Sequence, residues 1–189
     1  MQHLPQNNLV QSNMISPRSV VLAAMIAVAI VVRLAIYFSH GAFPYNFTPV
    51  EAIALFGGAY FADRRLAFLV PLAAMFLADL VIGLHELIPV IYGCIALTTL
   101  WGMNLRNRVR ALPVAGYAFA SAVMFFVVTN FFVWLMGDMY PHDGAGLVAC
   151  YVAAIPFFDG TLAGTLLWSA LLFGGFELMK QRWTVLQAA

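Results

Sequence analysis

The sequence has few charged residues: only 9% of its 189 residues are Asp, Glu, Lys or Arg, whereas 63% are hydrophobic. Soluble domains average about 25% charged residues. The apolar segments are long enough to cross a lipid bilayer as helices. The composition therefore excludes an ordinary soluble domain and predicts a single-domain integral membrane protein.

Several catalytic motifs are missing. No GxxxxGK[ST] pattern occurs, so the chain cannot itself hydrolyse ATP with a P-loop. HExxH and GxSxG are missing too, and the two cysteines, Cys94 and Cys150, form neither a CxxC pair nor a zinc-ligand spacing. We expect no ATP site in this chain and no nucleic-acid partner.

The apolar segments predict an all-α domain of six transmembrane helices between residues 14 and 182. The predicted helices are Arg18–Phe38, Thr48–Phe61, Leu66–Leu84, Leu87–Leu105, Pro113–Gly137 and Phe157–Lys180. Pro156 is expected to separate the last helix from a short interfacial helix, because proline cannot continue the hydrogen-bond ladder. Residues 1–13 are expected to be disordered or foreign to a natural chain that starts at Met14, and residues 183–189 to form a tail.

The cationic residues are distributed very unevenly. Eight of the nine Lys and Arg residues fall at one set of helix ends: Arg18, Arg64, Arg65, Arg106, Arg108, Arg110, Lys180 and Arg182. The loops between the opposite ends contain neither Lys nor Arg. The positive-inside rule then predicts that both termini are cytoplasmic. The expected location is a bacterial cytoplasmic (inner) membrane.

The hairpin from Pro71 to Gly102 is the best candidate for the wall of a binding site, and we expect the chain to be arranged around it. Asp79 lies six residues before His85 at the turn, and Cys94 lies eight residues after Glu86. At about 1.5 Å of rise per residue, both lie roughly 9–12 Å below the turn, at matched depth. An acid inside a membrane is costly and is a functional candidate by default.

Other polar residues also fall in the predicted outer halves of the helices: Arg33, Glu51, Asn130 and Asp159. The inner halves contain no ionisable group before the basic ends except Glu177, close to Lys180. This distribution predicts a pocket that opens outward and is closed below by apolar side chains, rather than a channel. Arg33 is expected to pair with Glu51, Asp79 or Asp159 in a buried ion pair, to contact a ligand, or both.

Aromatic residues in the loops 40–47 and 138–144 suit flaps over a bulky, partly apolar ligand. Asn130 and Trp134 share one helix face under these flaps. Cys94 could alternatively have a purely structural role and pack as a small buried hydrophobe. Cys150 is expected to be structural, although a disulfide with Cys94 stays open.

The chain resembles the substrate-binding S-components of energy-coupling factor (ECF) transporters from about residue 15 to 180. The resemblance rests on six helices, an outward pocket and Ala23-x-x-x-Ala27 in the first helix. The segments NFTPVEAIALFGGAYFADRR, ADLVIG and TNFFVWLMGDMYPHDGAGLVACYVAAIPFF look like the related BtuM-type cobalamin carriers, several of which act without a dedicated ECF module.

The resemblance implies a carrier for uptake of vitamin B12 or a related corrinoid, with Cys94 as the axial cobalt ligand. A thiolate is a soft donor that suits a polarizable metal. Cys94 would then also act catalytically if it displaces the original axial group, as in decyanation. His85 and His142 are alternative axial donors. The expected substrate-binding residues are Arg33, Glu51, Asp79, His85, Cys94, Asn130, Trp134, Tyr140 and His142.

Ala23 and Ala27 are the expected docking site for an ECF module of coupling subunit and ATPases, unless the carrier works alone. Three alternatives remain open: an S-component for another vitamin or a metal ion, a membrane thiol oxidoreductase using Cys94 and Cys150, and a structural subunit.

Overall fold

The computed structural model describes residues 16–39 and 41–187. The predictions for residues 1–13, the start at Met14 and the position of His40 lie outside this part of the chain. The described residues form six α-helices and no strand. The helices are α1 (Pro17–Phe38), α2 (Val50–Tyr60), α3 (Arg64–Ile82), α4 (Ile88–Met103), α5 (Ala111–Met136) and α6 (Gly144–Arg182), followed by a 3₁₀ helix over Thr184–Leu186.

Four of these helices, α1, α3, α5 and α6, are long and apolar enough to cross a membrane. Large aliphatic side chains also project from the protein surface: Val28 is 64% exposed, Leu69 62% and Val148 62%. Such an apolar surface is unfavourable in water but favourable in contact with lipid chains. The prediction of an all-α, multi-pass membrane protein is confirmed at this level.

Short polar side chains determine where several helices begin. Ser16 accepts a hydrogen bond from the backbone of Ser19 at the start of α1, and Pro17 follows it. Asp63 and Asp143 cap α3 and α6 in the same way, at 2.6 and 2.7 Å. A side-chain oxygen at this position pairs with a backbone donor that the helix cannot satisfy itself.

The centre of the fold is α2 rather than the hairpin 71–102, so the expected arrangement around that hairpin is wrong. Every residue of α2 is buried, and the helix contacts each of the other five. Gly58 and Gly102 allow it to lie against α4: a Cβ atom on Gly58 would overlap the Thr99 carbonyl, and one on Gly102 would overlap the Leu55 carbonyl. Glycine spacing thus allows two backbones to touch where any larger residue would separate them.

The eleven residues of α2 span only about 16 Å, roughly half the hydrocarbon thickness of a bilayer. The preceding segment extends it along α6. Gly160 lies against the Tyr45 carbonyl and Gly164 against Thr48, while Tyr60 at the other end of α2 bonds to Glu177. Segment 45–60 therefore runs beside residues 160–177 of α6, over a rise of roughly 26 Å.

The break expected at Pro156 is wrong, because α6 continues through it for 39 residues, about 58 Å. Proline removes one backbone donor, and helices that pass through a membrane tolerate this loss where local adjustment satisfies the freed carbonyl. Pro156 itself is exposed. The expected tail also has structure as far as it is described: Leu186 is buried, and the Gln187 amide donates to the Lys180 carbonyl at 2.8 Å.

Candidate functional site

A buried ion pair joins α1 to α3. Both terminal nitrogens of Arg33 donate to Oδ1 of Asp79 at 3.2 Å, and the Tyr92 hydroxyl of α4 donates to Oδ2 at 2.9 Å. The Arg33 side chain is 15% exposed and the Asp79 side chain 5%. Of the three acids proposed as partners of Arg33, the structure selects Asp79, with both carboxylate oxygens occupied.

Glu51 lies next to this pair at the start of α2. It is buried, and Thr165 of α6 donates a long hydrogen bond of 3.4 Å to its Oε2. Glu51 is also near enough to both Arg33 and Cys94 for an electrostatic effect. Asp159, in contrast, is exposed on α6, and no ion pair joins it to another residue within 16–39 or 41–187.

Cys94 lies on the wall of a cavity of about 380 Å³ between α4 and α5. The cavity is apolar, with Leu97, Met124 and Val128 among its lining residues. Phe132 separates it from a second cavity of about 350 Å³ that reaches the turn between α3 and α4, where His85 lies. A groove between α4 and α5 therefore runs from that turn towards the thiol.

Asp79 and Cys94 do not share a face of the hairpin. Asp79 bonds to Tyr92, which is two residues from Cys94 and so roughly 200° away around α4. Tyr92 faces α3, whereas Cys94 faces the groove beside α5. The hairpin therefore contributes to two separate sites, the Arg33–Asp79 ion pair and the Cys94 groove, instead of forming one wall of a pocket.

The segment 41–48 covers Arg33 from the end opposite the basic loops. Arg33 and segment 41–48 line a third cavity of about 370 Å³, to which Phe43, Tyr45 and Phe47 contribute. Phe43 and Phe47 stack at 6.1 Å, and Tyr45 packs on Phe157 of α6 at 5.3 Å. An aromatic cover over the ion pair agrees with the flap expected from this loop.

The other flap, 138–144, is held by its own contacts. The Trp134 indole donates to the Pro141 carbonyl at 2.8 Å, and the His142 ring bonds to the Gly137 carbonyl at 3.1 Å and packs edge-on against Trp134. The Asn130 amide donates to the Phe126 carbonyl of its own helix at 2.8 Å. Tyr140 is half-buried. Trp134 and His142 therefore stabilise the junction of α5 and α6, whereas the Asn130 side chain bonds within α5.

The two cysteines are free and buried. The Cys150 thiol donates a long hydrogen bond to the Asn130 carbonyl at 3.5 Å and does not line the cavity of Cys94. No group of three His, Cys, Asp or Glu residues within the described ranges is arranged to hold a metal ion. In α1, Ala23 is half-buried against the core and Ala27 is exposed, so only part of the predicted docking patch is at the surface.

Three features were not predicted from the sequence. Tyr92 completes the coordination of Asp79, and Thr165 bonds to Glu51. A cavity of about 530 Å³ lies at the basic end of the bundle, where Arg106 and Lys180 line it. The sequence signal was present in the basic residues, which were considered only as determinants of orientation.

Comparison with known families gives one match. The model of a family described as a family of unknown function, DUF6580, matches residues 13–186. The chain belongs to the DUF6580 family. No curated protein and no solved structure matches it. The match covers all six helices, so the ion pair, the Cys94 groove and, apart from Gln187, the lining of the basic cavity lie inside this DUF6580 domain.

Proposed function

We propose that this DUF6580 protein is a substrate-binding carrier for cobalamin or a related corrinoid in a bacterial inner membrane. In this proposal the chain crosses the bilayer six times with both termini in the cytoplasm. The uneven distribution of Lys and Arg supports the orientation. Segment 45–49 supports the second crossing, because it precedes the short helix α2 and lies beside α6.

The observation that carries the proposal is the position of Cys94 on the wall of the apolar groove between α4 and α5. A thiol on the wall of such a groove would meet a ligand that enters from the turn at His85. Cobalt in a corrin is a polarizable metal centre, and a thiolate is a suitable axial donor for it. Metal coordination also deprotonates a thiol, which removes the cost of forming a free thiolate in an apolar place.

Ligand exchange at the metal follows from the same contact. Cys94 forms a sulfur–cobalt bond while the bond to the original axial cyanide breaks. The thiol proton leaves with cyanide as hydrogen cyanide, and the oxidation state of cobalt does not change. Cys94 would act as ligand and displacing group in this accessory reaction, and the corrinoid remains the transported substrate.

The polar groups beside the groove would orient the bound corrinoid. Glu51 lies near both Cys94 and Arg33, and Arg33 lies under the aromatic segment 41–48. A corrin macrocycle is larger than each of the cavities, so binding requires α5 to move away from α4. His85 at the mouth of the groove is a candidate for a first contact with the entering ligand.

The test is the visible absorption spectrum of purified protein incubated with cyanocobalamin. Wild-type protein should shift the spectrum and release cyanide. Cys94→Ser replaces a soft donor by a hard one at nearly constant volume, and should abolish both effects. Cys150→Ser is the matched control and should change neither, because its thiol bonds to the Asn130 carbonyl away from the groove. A wild-type spectrum in the Cys94→Ser protein would remove the chemical basis of the proposal.

A further inference from the structure

The cavity of about 530 Å³ at the basic end has a cationic lining that the proposed carrier function does not use. Arg18 of α1, Arg106 of the turn after α4 and Lys180 of α6 line it, with Glu177 as the acidic residue of the lining. Tyr60 and Phe61, at the end of α2, form its floor. The lining thus carries three cationic side chains and one carboxylate.

The two arginines are fixed in position by the backbone of α2. Arg106 donates from Nε to the Gly58 carbonyl at 3.0 Å and from Nη2 to the Phe61 carbonyl at 2.7 Å. Arg18 donates to the Tyr60 carbonyl at 3.1 Å. These carbonyls belong to the last turn of α2, where a helix leaves acceptors without partners and favours cations. The guanidinium groups are therefore already ordered, and a ligand need not pay for ordering them.

The carboxylate in the cavity is fully engaged. The Tyr60 hydroxyl donates to Oε1 of Glu177 at 2.5 Å, and Lys180 donates to both oxygens at 3.0 and 3.2 Å. Glu177 therefore pairs with Lys180, and no ion pair within residues 16–39 and 41–187 joins it to Arg106. Burial lowers the pKa of Arg106, and the neighbouring Arg64 cation lowers it further. An anion in the cavity would counteract this lowering, because an opposite charge favours the charged guanidinium.

We propose that this cavity binds a phosphoryl anion, with Arg106 and Lys180 as its main contacts. A guanidinium group has five N–H donors, and Arg106 uses two of them on α2 carbonyls. The remaining donors form a planar pair suited to two phosphate oxygens. Because the cavity opens at the end of the bundle where the basic loops lie, the phosphoryl group belongs to an anionic phospholipid headgroup or to free phosphate.

The experiment measures binding to the full-length protein in a neutral detergent. Phosphatidylglycerol is titrated against phosphatidylcholine, and sodium phosphate against sodium chloride at equal ionic strength, with the thermal unfolding midpoint as the readout. Lys180→Gln and Arg106→Gln should each weaken binding of the anion about fivefold, as expected for loss of one cation near a phosphate. Arg108→Gln is the matched control, because it removes the same charge from an exposed residue of the same turn that does not line the cavity.

The outcomes are distinct. Stabilisation by phosphatidylglycerol alone identifies a lipid site, and stabilisation by phosphate that competes with the lipid identifies a site for the free anion. The Arg106→Gln variant could fail to fold because α2 is no longer capped, which a loss of its helical circular dichroism signal would show. In that case the Lys180→Gln variant provides the test of anion binding. The proposal is overturned if neither anion stabilises the wild type, or if Lys180→Gln responds like Arg108→Gln. Cobalamin spectra are independent of this result.

Discussion

Replacing Asp79 by Asn tests whether the Arg33–Asp79 pair holds α1 against α3. The substitution removes the charge but leaves an oxygen that can still accept from Tyr92. Removing one partner of a buried ion pair costs about 3–5 kcal/mol, because the other charge stays behind without compensation. Arg33 keeps 15% exposure, so we expect the lower end, about 3 kcal/mol. For a chain of this length that lowers the unfolding midpoint by about 6–12 °C.

The assay is thermal unfolding of detergent-solubilised protein followed by circular dichroism. Tyr92→Phe is the control, because it removes only one hydrogen bond to Asp79 and should cost about 1 kcal/mol. The double variant Arg33→Met, Asp79→Asn removes both charges and should be more stable than Asp79→Asn alone. Equal destabilisation by Asp79→Asn and Tyr92→Phe would refute the argument. It would also be refuted if the destabilisation of the double variant equalled the sum of those of Arg33→Met and Asp79→Asn measured separately.

Three further predictions concern the rest of the fold. Reporters fused after Lys180 should be cytoplasmic and those inserted in 138–144 external; an external C-terminus would contradict six crossings. Gly58→Ala should destabilise the protein by about 1–3 kcal/mol, since its Cβ meets the α4 backbone, whereas Gly116→Ala, with open space around it, should be neutral or stabilising in the same thermal assay. Ala27→Trp should block cobalamin uptake in cells but leave the spectral shift intact if a partner docks on α1; unchanged uptake would show that this face has no partner.

Hydropathy and charge predicted the helices well but not their arrangement. The predicted limits of α1 and α5 agree with the structure to within a few residues, because both are long and uniformly apolar. The central position of α2 was missed, since a short helix that is buried on all sides has no amphipathic pattern to show which neighbours it contacts. The glycines that permit its contact with α4 are Gly58 and Gly102, which lie 44 residues apart in the sequence.

The candidate site was predicted in its components and only partly in its contacts. An acid and a base inside apolar helices are conspicuous, so Arg33, Glu51 and Asp79 were found. Which acid pairs with Arg33 depends on the rotation of α3 and α6, which composition does not determine. Tyr92 was missed because a tyrosine in an apolar helix gives no signal until its hydroxyl has a partner.

The burial of α2 has a consequence for the order of synthesis. Its partners on α6 lie 114 and 117 residues later in the chain: Thr165 beside Glu51, and Glu177 bonded to Tyr60. An eleven-residue helix is too short to be retained in lipid by its own hydrophobicity. When only α1 to α5 have been synthesised, α2 therefore lacks the packing that α6 provides on one side. The bundle closes around α2 when the last helix leaves the exit tunnel, so chains truncated within α6 should be degraded rather than accumulate as folded intermediates.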